Sequence, residues 1–290
     1  MKIAIFGNTY REALIPRLIE LLDFLSTKVV DVLFERDLFD FLIANKLYAI
    51  NNDQIIDTEN FQCDFAMSVG GDGTFLKTAA SVGNRDIPIL GINIGRLGFL
   101  ADISGENMLM AVEGILKKDY ILEERTLLTV IANDGTPLEM PYALNEISIL
   151  KQDSSSMISI HTTLNGEPMH TYQADGLLVA TPTGSTAYSM SVGGPLLVPQ
   201  AANFLLSPVA SHSLNVRPLV IPDTWVVDLE VKSRSGCYQI SLDGRTTILP
   251  ESTKLHIQKA NFTIKVVKQM HHSFFDNLKN KLMWGLDKRN

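Results

Sequence analysis

The order of apolar segments along the chain is the feature that most limits how it can fold. In residues 2–100, short apolar runs such as KIAIF, DFAMSV and IPILGIN alternate with segments of helical spacing. Strands that alternate with helices predict a mostly parallel sheet covered by helices on both faces. In residues 120–267 the segments are strand-like instead, and turn dipeptides follow several of them, at 165–166 and 243–244. The chain therefore favours an α/β N-terminal domain followed by a β-rich C-terminal domain.

The change from alternating strands and helices to consecutive strands also sets the expected domain boundaries. We place the first domain at residues 1–118 and the second at residues 119–269. The tail, residues 270–290, carries apolar side chains at helical spacing over Ser273 to Lys288, so we expect a helix there that packs on the first domain. Three further helices are predicted, around Glu12 to Phe24, Leu38 to Asn45 and Glu106 to Lys117.

Composition limits the classes of partner. The 290 residues include 46% hydrophobic side chains, enough for a sizeable core, and the net charge is -7. A net negative field does not favour a nucleic acid, so any phosphate site must be local. The N-terminal MKIAIFGN lacks a secretory signal, and no stretch approaches the roughly 20 apolar residues of a membrane span. We expect a cytoplasmic protein that binds neither nucleic acid nor membrane.

The segment SVGGDGTFLKTA, residues 68–79, has the pattern of a strand-to-helix phosphate turn. Glycines such as Gly71 and Gly73 let backbone N–H groups approach a phosphate, and the following helix adds its positive end. An acidic residue in such a turn repels phosphate unless it binds a metal or accepts a proton, so Asp72 is a candidate for chemistry. The alternative is an ordinary Gly-rich turn with an Asp at its tip. Lys77 is either a phosphate ligand or a solvated helix lysine.

A second Gly-rich run, NIGRLGFL at residues 93–100, follows the next apolar segment. It could bring the backbone close to a ligand at the same strand ends. It could equally permit the chain to cross from one domain to the other, and the two roles are compatible.

The pair Asn145 and Glu146 interrupts an apolar strand, ALNEISIL. Alternation sends their side chains to opposite faces unless a bulge turns both toward one site. The alternative is a solvent-facing Glu beside a turn-forming Asn.

The segment ADGLLVATPTGSTAYSMSVGGPLL, residues 174–197, places many small hydroxyls and glycines after a strand. Such residues are poor core material, because each buried hydroxyl needs a partner. They suit a site that hydrogen-bonds a polar ligand, with Asp175 as an acceptor and Tyr188 as a flat surface for a base. A Ser/Thr-rich loop without a ligand is the alternative.

These motifs together resemble those of the NAD kinase family. GGDGT at 70–74, NIGRLGFL at 93–100, NE at 145–146 and DGLLVATPTGSTAYSMSVGGP at 175–195 occur in the family's order, with EERTLL and RPLVI between and after them. The resemblance covers nearly the whole chain, and TPTGSTAY is its most specific part. It implies a phosphofructokinase- and lipid-kinase-like α/β domain, a β-rich domain, and an NAD site between them. Ile94 and Arg245 depart from the pattern, where Thr and Gln are usual.

The resemblance also implies roles for individual residues. Asp72 matches the catalytic base, with Gly71, Gly73 and Lys77 in the phosphate region. Asn145 and Glu146 match the pair that holds the adenosine, and Asp175 matches a carboxylate on the nicotinamide side. The loop around the dinucleotide corresponds to Thr186, Ala187, Tyr188, Ser189, Met190 and Ser191.

The implied reaction is transfer of phosphate from ATP to the adenosine 2'-hydroxyl of NAD, giving NADP and ADP. A divalent metal, Mg²⁺, is expected to accompany ATP, without a set of protein ligands that the sequence identifies. The family also implies a homo-oligomer, a dimer or tetramer. Two other classes share some features: a lipid or sugar kinase shares GGDGT, and a non-catalytic sensor would bind NAD without needing Asp72.

Overall fold

A computed structural model describes residues 1–9, 14–56, 61–95, 98–153, 156–270 and 273–285. The chain divides into two compact units. The first unit contains residues 1–124 and 264–290, and the second contains residues 125–263. The predicted helix start at Glu12, the pair Arg96 and Leu97, and the tail residues 286–290 lie outside the described residues.

Strands and helices alternate in the first unit. Its elements are β1 (Lys2–Gly7), α1 (Leu14–Ser26), β2 (Asp31–Phe34), α2 (Arg36–Ala44), β3 (Phe65–Gly70), α3 (Asp72–Val82), β4 (Ile89–Asn93), β5 (Ile103–Ser104), α4 (Met108–Lys117) and α6 (Phe274–Leu282). The strands β2, β1, β3 and β4 lie side by side and parallel, and β5 pairs parallel with β4.

The parallel strands are apolar because both faces of the sheet are covered. All six residues of β3 are buried, as are all five of β4. Helix α1 buries leucines at 14, 18, 21, 22 and 25, the spacing of one helical face. Together these side chains form the core of the first unit.

The last helix, α6, belongs to the first unit. Ser273 caps it, since its hydroxyl accepts from the N–H of Asp276 while the Asp276 carboxylate accepts from the N–H of Ser273. Leu278 is buried, and the Phe274 ring lies 6.2 Å from the Phe99 ring. The helix ends at Leu282, before Met283 in a left-handed conformation, rather than at the predicted Lys288.

The second unit is built of antiparallel strands. Its elements, with the strand that enters it and the strand that leaves it, are β6 (Ile121–Ala132), β7 (Tyr142–Ala143), β8 (Glu146–Lys151), β9 (Ile158–Leu164), β10 (Glu167–Ala174), β11 (Gly176–Ala180), α5 (Tyr188–Ser191), β12 (Asn203–Val209), β13 (Leu219–Pro222), β14 (Val227–Lys232), β15 (Cys237–Leu242), β16 (Arg245–Pro250) and β17 (Leu255–Lys268). Six strands follow the order β13-β12-β11-β8-β15-β16. A further antiparallel group comprises β10, β9, β14 and the first part of β17.

The two predicted turn dipeptides close hairpins in this unit. Asn165 and Gly166 join β9 to β10, and Asp243 and Gly244 join β15 to β16. All four residues have positive φ, which suits Asn-Gly and Asp-Gly turns. The prediction of an α/β unit, a β-rich unit and a C-terminal helix in the first unit is confirmed.

Candidate functional site

The carboxyl ends of β1, β3 and β4 lie at one edge of the first unit's sheet and border a cavity of about 870 Å³. Residues 7–9 come from the end of β1, and residues 71–74 follow β3. Asn93, Gly95 and Gly98 come from the end of β4 and the loop after it. Ligands of open α/β sheets bind outside the carboxyl ends of the strands. The cavity is therefore the candidate binding site of the first unit.

The glycine-rich turn after β3 opens toward this cavity. A Cβ atom on Gly70 would collide with the side chain of Thr74, so this glycine is needed for packing. Gly71 and Gly73 have no heavy atom within 4 Å of where a Cβ atom would lie, and both line the cavity. The first turn of α3 adds N–H groups without helical partners and the positive end of the helix dipole. The arrangement is compatible with a bound phosphate, and the role of Gly71 and Gly73 stays a prediction.

Asp72 is the first residue of α3, and the backbone of residues 99–101 holds its carboxylate. Oδ2 accepts a hydrogen bond from the N–H of Phe99 at 3.0 Å. Oδ1 accepts from the N–H groups of Leu100 at 3.1 Å and Ala101 at 3.0 Å. Gly98 approaches so closely that a Cβ atom on it would collide with the carboxylate. Asp72 is thus fixed in position at the wall of the cavity.

Two lysines line the same cavity. The Lys77 ammonium lies 2.9 Å from Glu35 Oε1 and 2.7 Å from Asp37 Oδ2. Partial burial opposes its charge, but hydrogen bonds to Asp37 and Glu35 raise the pKa of Lys77 above its usual value. Lys281, from the last turn of α6, lies 3.4 Å from Asp72 Oδ2. Lys77 is therefore bound to two carboxylates, whereas Lys281 contacts the candidate base.

The second Gly-rich run contributes Gly95 and Gly98 to the cavity. The side-chain oxygen of Asn93 accepts a hydrogen bond from the N–H of Gly95 at 2.8 Å, which shapes the start of this loop. Ile94, one of the departures from the family pattern, packs against the core of the first unit. Its side chain is therefore used for packing.

In the second unit, Asn145 and Glu146 lie at the start of β8 beside a carboxylate that the sequence did not single out. Oδ2 of Asp243 accepts from the N–H of Leu144 at 2.7 Å, and Oδ1 accepts from those of Asn145 at 2.8 Å and Glu146 at 3.1 Å. Burial raises the pKa of the Asp243 carboxyl, while the three amides and Arg245 act in the opposite direction. Asp243 fixes the backbone of the Asn-Glu pair.

Glu146 is an unusual acid. Burial, with a smaller effect from the charge of Asp243, raises the pKa of Glu146 to about 8. Its Oε2 atom is buried and has no hydrogen-bond partner within the part of the chain that the structure describes. A carboxyl group in this state is protonated at neutral pH and can donate a hydrogen bond. A hydroxyl of a sugar ligand would supply the missing partner.

The Thr-rich loop after β11 packs on the backbone of Leu144 and Asn145. The N–H of Thr181 donates to the carbonyl of Asn145 at 2.9 Å, and the Thr181 hydroxyl donates to the carbonyl of Leu144. A Cβ atom on Gly184 would collide with the Asn145 carbonyl. The structure thus brings Thr181 and Gly184 of this loop to the backbone of Asn145.

Hydrogen bonds hold the rest of the predicted dinucleotide loop, within the loop itself and, at Ser189, to Ser207 of β12. The pairs are Thr186–Thr183, Ala187–Gly184, Met190–Ala187, Ser191–Tyr188 and, by hydroxyls 2.9 Å apart, Ser189–Ser207. These hydroxyls bind other residues of the protein. That is what we expect of a Ser/Thr-rich loop without a ligand, the alternative to a dinucleotide site. The Tyr188 ring, 37% exposed, remains accessible to a base.

Asp175 lies apart from this cluster. It precedes β11, whose far end, Ala180, pairs with Glu146. Five residues of extended strand place it roughly 16 Å from that end. Its carboxylate lies 2.7 Å from the ammonium of Lys151. Within one chain, the structure does not bring Asp175 to Asn145 and Glu146.

The described residues contain no group of three or more His, Cys, Asp or Glu side chains placed to hold a metal ion. Among the helices in the same ranges, none is long and apolar enough to cross a membrane.

Comparison with known proteins identifies the family. The family model described as "ATP-NAD kinase N-terminal domain" matches residues 3–120, and that described as "ATP-NAD kinase C-terminal domain" matches residues 144–269. The NAD kinase of Bacteroides fragilis (strain YCH46) is 50% identical over 289 residues, which cover 100% of both chains. The chain belongs to the NAD kinase family. The predicted family resemblance is confirmed, and so is the prediction of an enzyme, a kinase.

Two solved structures share the fold of this NAD kinase family member. A yeast NADH kinase complexed with NADH superimposes with a TM-score of 0.87 at 20% identity, covering 99% of this chain and 89% of the other. An NAD kinase from Archaeoglobus fulgidus in complex with ATP superimposes with a TM-score of 0.77 at 24% identity, covering 98% and 99%. The family match also decides against a lipid or sugar kinase, which shares the GGDGT turn.

Two residues of the site were missed by sequence reasoning. Asp243 was identified only as part of a turn dipeptide, although a buried Asp in an Asp-Gly turn can also bind backbone amides. Lys281 had no local signal, because its contact with Asp72 joins residues 209 positions apart. Arg245, the second departure, donates to the carbonyls of Met140 and Tyr142. It stabilises the backbone that leads to Asn145.

Proposed function

We propose that this chain transfers the γ-phosphoryl group of ATP to the adenosine 2'-hydroxyl of NAD, with Asp72 as general base. The observation that carries the proposal is a carboxylate fixed by three backbone amides in a cavity of glycine-rich strand ends. Such a cavity attracts phosphate, whereas a carboxylate in it repels phosphate, so we expect the carboxylate to have a chemical role. Accepting the proton of the attacking hydroxyl is such a role.

In the proposed step, the 2'-oxygen forms a bond to the γ-phosphorus while the bond from phosphorus to the β-γ bridging oxygen breaks. The hydroxyl proton passes to Asp72, and ADP leaves with the electron pair of the broken bond. A carboxylate has about four acceptor sites, two on each oxygen. Oδ1 uses both of its sites on Leu100 and Ala101, so Oδ2, with one amide from Phe99, is the atom that takes the proton.

Different predicted residues would hold the two substrates. Gly71, Gly73 and Lys77 would contact the phosphates of ATP. Asn145 and Glu146 would hold the adenosine ribose, whose hydroxyl can accept from the protonated Glu146. Asp175 and the loop with Tyr188 would contact the rest of NAD. That relatives of the same fold were solved with NADH and with ATP supports these assignments.

Mg²⁺ fits the cavity as an ion carried by the nucleotide. It is held in such sites by phosphates with one or two carboxylates, and Asp37 is the carboxylate on the wall that the proposed step does not use. When bound, it would offset the charge of the phosphates. We further propose a cytoplasmic location and assembly into a dimer or tetramer.

The test is incubation of the purified full-length chain with NAD, ATP and Mg²⁺, with NADP followed enzymatically. We expect NADP and ADP in equal amounts. Omission of ATP is the control, and failure to form NADP would overturn the proposal.

A further inference from the structure

Lys281 of helix α6 is a residue of the cavity that the family motifs do not include. We propose that Lys281 changes partner during the reaction, from Asp72 before ATP binds to the transferred phosphoryl group afterwards. In the second position it touches the reacting atoms and frees Asp72 Oδ2 to accept the hydroxyl proton. The inference rests on the proposed function and adds a catalytic residue to it.

The position of Lys281 is set by packing on both sides. Its ammonium lies 3.4 Å from Asp72 Oδ2 and 4.4 Å from the centre of the Phe99 ring. Phe99 is the residue whose N–H binds the same Oδ2 atom. Contact between the rings of Phe274 and Phe99 holds the helix beside this loop. The helix is therefore anchored, while the lysine stem can rotate.

The contact between Lys281 and Asp72 is weak enough to exchange. Charge-assisted N–H···O bonds are usually about 2.7–2.9 Å long, and 3.4 Å exceeds that. Lys77, by contrast, has contacts of 2.9 and 2.7 Å with two carboxylates on neighbouring α2 and its N-cap. Of these two cavity lysines, Lys281 can move to a phosphate at the smaller loss of existing contacts.

The movement of Lys281 from Asp72 to a phosphate would make the Asp72 base available only when ATP is bound. Oδ2 has one acceptor site on the Phe99 amide, and Lys281 faces the other. A terminal phosphate carries more negative charge than one carboxylate, so it attracts the ammonium more strongly at the same distance. Once Lys281 has moved, the second site of Oδ2 is open to the 2'-hydroxyl. The lysine then neutralises charge that develops on the phosphoryl group.

The test compares Lys281→Met with Lys279→Met, which removes the same charge from the same turn of α6 at an exposed position. ATP affinity is measured by calorimetry with a non-hydrolysable ATP analogue and Mg²⁺, and kcat and KM are measured with NAD. For Lys281→Met we expect about 10- to 100-fold weaker analogue binding and a similar fall in kcat, with the KM for NAD nearly unchanged. Lys281→Arg should recover part of both, and Lys279→Met should behave as the parent protein.

Equal behaviour of Lys281→Met and Lys279→Met in both measurements would overturn the inference. Thermal melts of each variant detect any loss of folding, and Lys281→Gln provides a second neutral side chain at the position. If the parent protein binds the analogue but makes no NADP, the proposed function fails instead. The calorimetric comparison then still reports whether Lys281 binds the nucleotide phosphates.

Discussion

The Asp72 side chain has a structural role and a proposed chemical role. Its carboxylate binds three backbone amides and is also the proposed base. Asp72→Asn removes the base, so we expect kcat to fall by about 10²- to 10⁴-fold with NAD affinity nearly intact. The substitution also has a structural effect, because an Asn amide that keeps the Leu100 and Ala101 bonds turns its NH₂ group toward the N–H of Phe99. Two facing donors leave that amide unsatisfied, which costs about 1–3 kcal/mol of stability.

A Mg²⁺ titration of Asp72→Asn separates the two chemical roles that a carboxylate can have here. If Asp72 is the base, added metal does not restore the rate. If Asp72 mainly orients Mg²⁺, half-maximal activity requires more metal and excess Mg²⁺ recovers much of the rate. Thermal melts in parallel measure the stability lost with the unsatisfied Phe99 amide. Full activity of Asp72→Asn at the Mg²⁺ concentration that the parent protein needs would remove Asp72 from the mechanism.

Asp175 provides a test of the dinucleotide site. We predict that Asp175→Ala raises the KM for NAD about tenfold or more and leaves the KM for ATP nearly unchanged, since a hydrogen bond to a charged group is worth roughly 1.5–3 kcal/mol. The control is Lys151→Met, which breaks the ion pair from the other side. If both variants have the same effect, Asp175 acts through the ion pair; an unchanged KM for Asp175→Ala would contradict the assignment.

At the level of whole elements, the start of β8 and the turn between β15 and β16 share a titratable pair. Glu146 has a pKa of about 8 in the folded chain, against an ordinary value of 4.5. The folded state therefore binds this proton more tightly than the unfolded chain does. The contribution of Glu146 to the free energy of unfolding falls as pH rises from about 4.5 to about 8, by about 1.4 kcal/mol for each unit of pKa difference.

Glu146→Gln should remove this pH dependence. We expect the variant to gain thermal stability relative to the parent protein between pH 5 and pH 8.5, because a neutral amide replaces an acid that must ionise while buried. Glu167→Gln, at an exposed position on β10, is the control for the change of net charge. The measurement is the difference in Tm across the pH range, and a constant difference would contradict the raised pKa.

The elements themselves were largely predictable, because local patterns determine them. Strand–helix alternation and the Asn165-Gly166 turn depend on neighbours in sequence. Element ends were less accurate where a single side chain decides them. Helix α2 was expected from Leu38 but begins at Arg36, because the Glu35 carboxylate accepts from the N–H of Leu38 and caps it.

The contacts of the site were not predictable, since they join distant parts of the chain. GGDGT identified Asp72, but its amide donors lie 27 to 29 residues away and Lys281 lies 209 residues away. Asp243 likewise binds amides 97 to 99 residues earlier. Spacing within a motif carries no information about such partners. They follow from the order in which strands pair.

On the scale of the whole molecule, the charge of the cavity wall differs from the charge of the chain. The net charge of the chain is -7, whereas the wall carries two lysines, Lys77 and Lys281, beside two carboxylates, Asp37 and Asp72. The field of the whole chain repels polyanions, so binding of a nucleotide phosphate would depend on these lysines and on the backbone N–H groups of the glycine-rich turn. That a phosphate site is local stays a prediction.

Self-association is the remaining expectation for the whole molecule. Strands β13 and β16 end the six-stranded order of the second unit, and apolar side chains are exposed on both, with Val220 42% and Ile248 55% accessible. Edge strands with apolar side chains are usually covered, and pairing with a second copy is one way to do so. We therefore predict that the chain forms a dimer or tetramer.

Light scattering coupled to size exclusion at micromolar concentration measures the particle mass against 32.1 kDa for one chain. We expect a multiple of two. Val220→Lys and Ile248→Lys place a charge on one edge at a time, and a lysine disfavours strand pairing. The variant that releases smaller particles identifies the edge that is covered, and the other variant serves as its control. A 32.1 kDa particle from the parent protein would contradict the prediction.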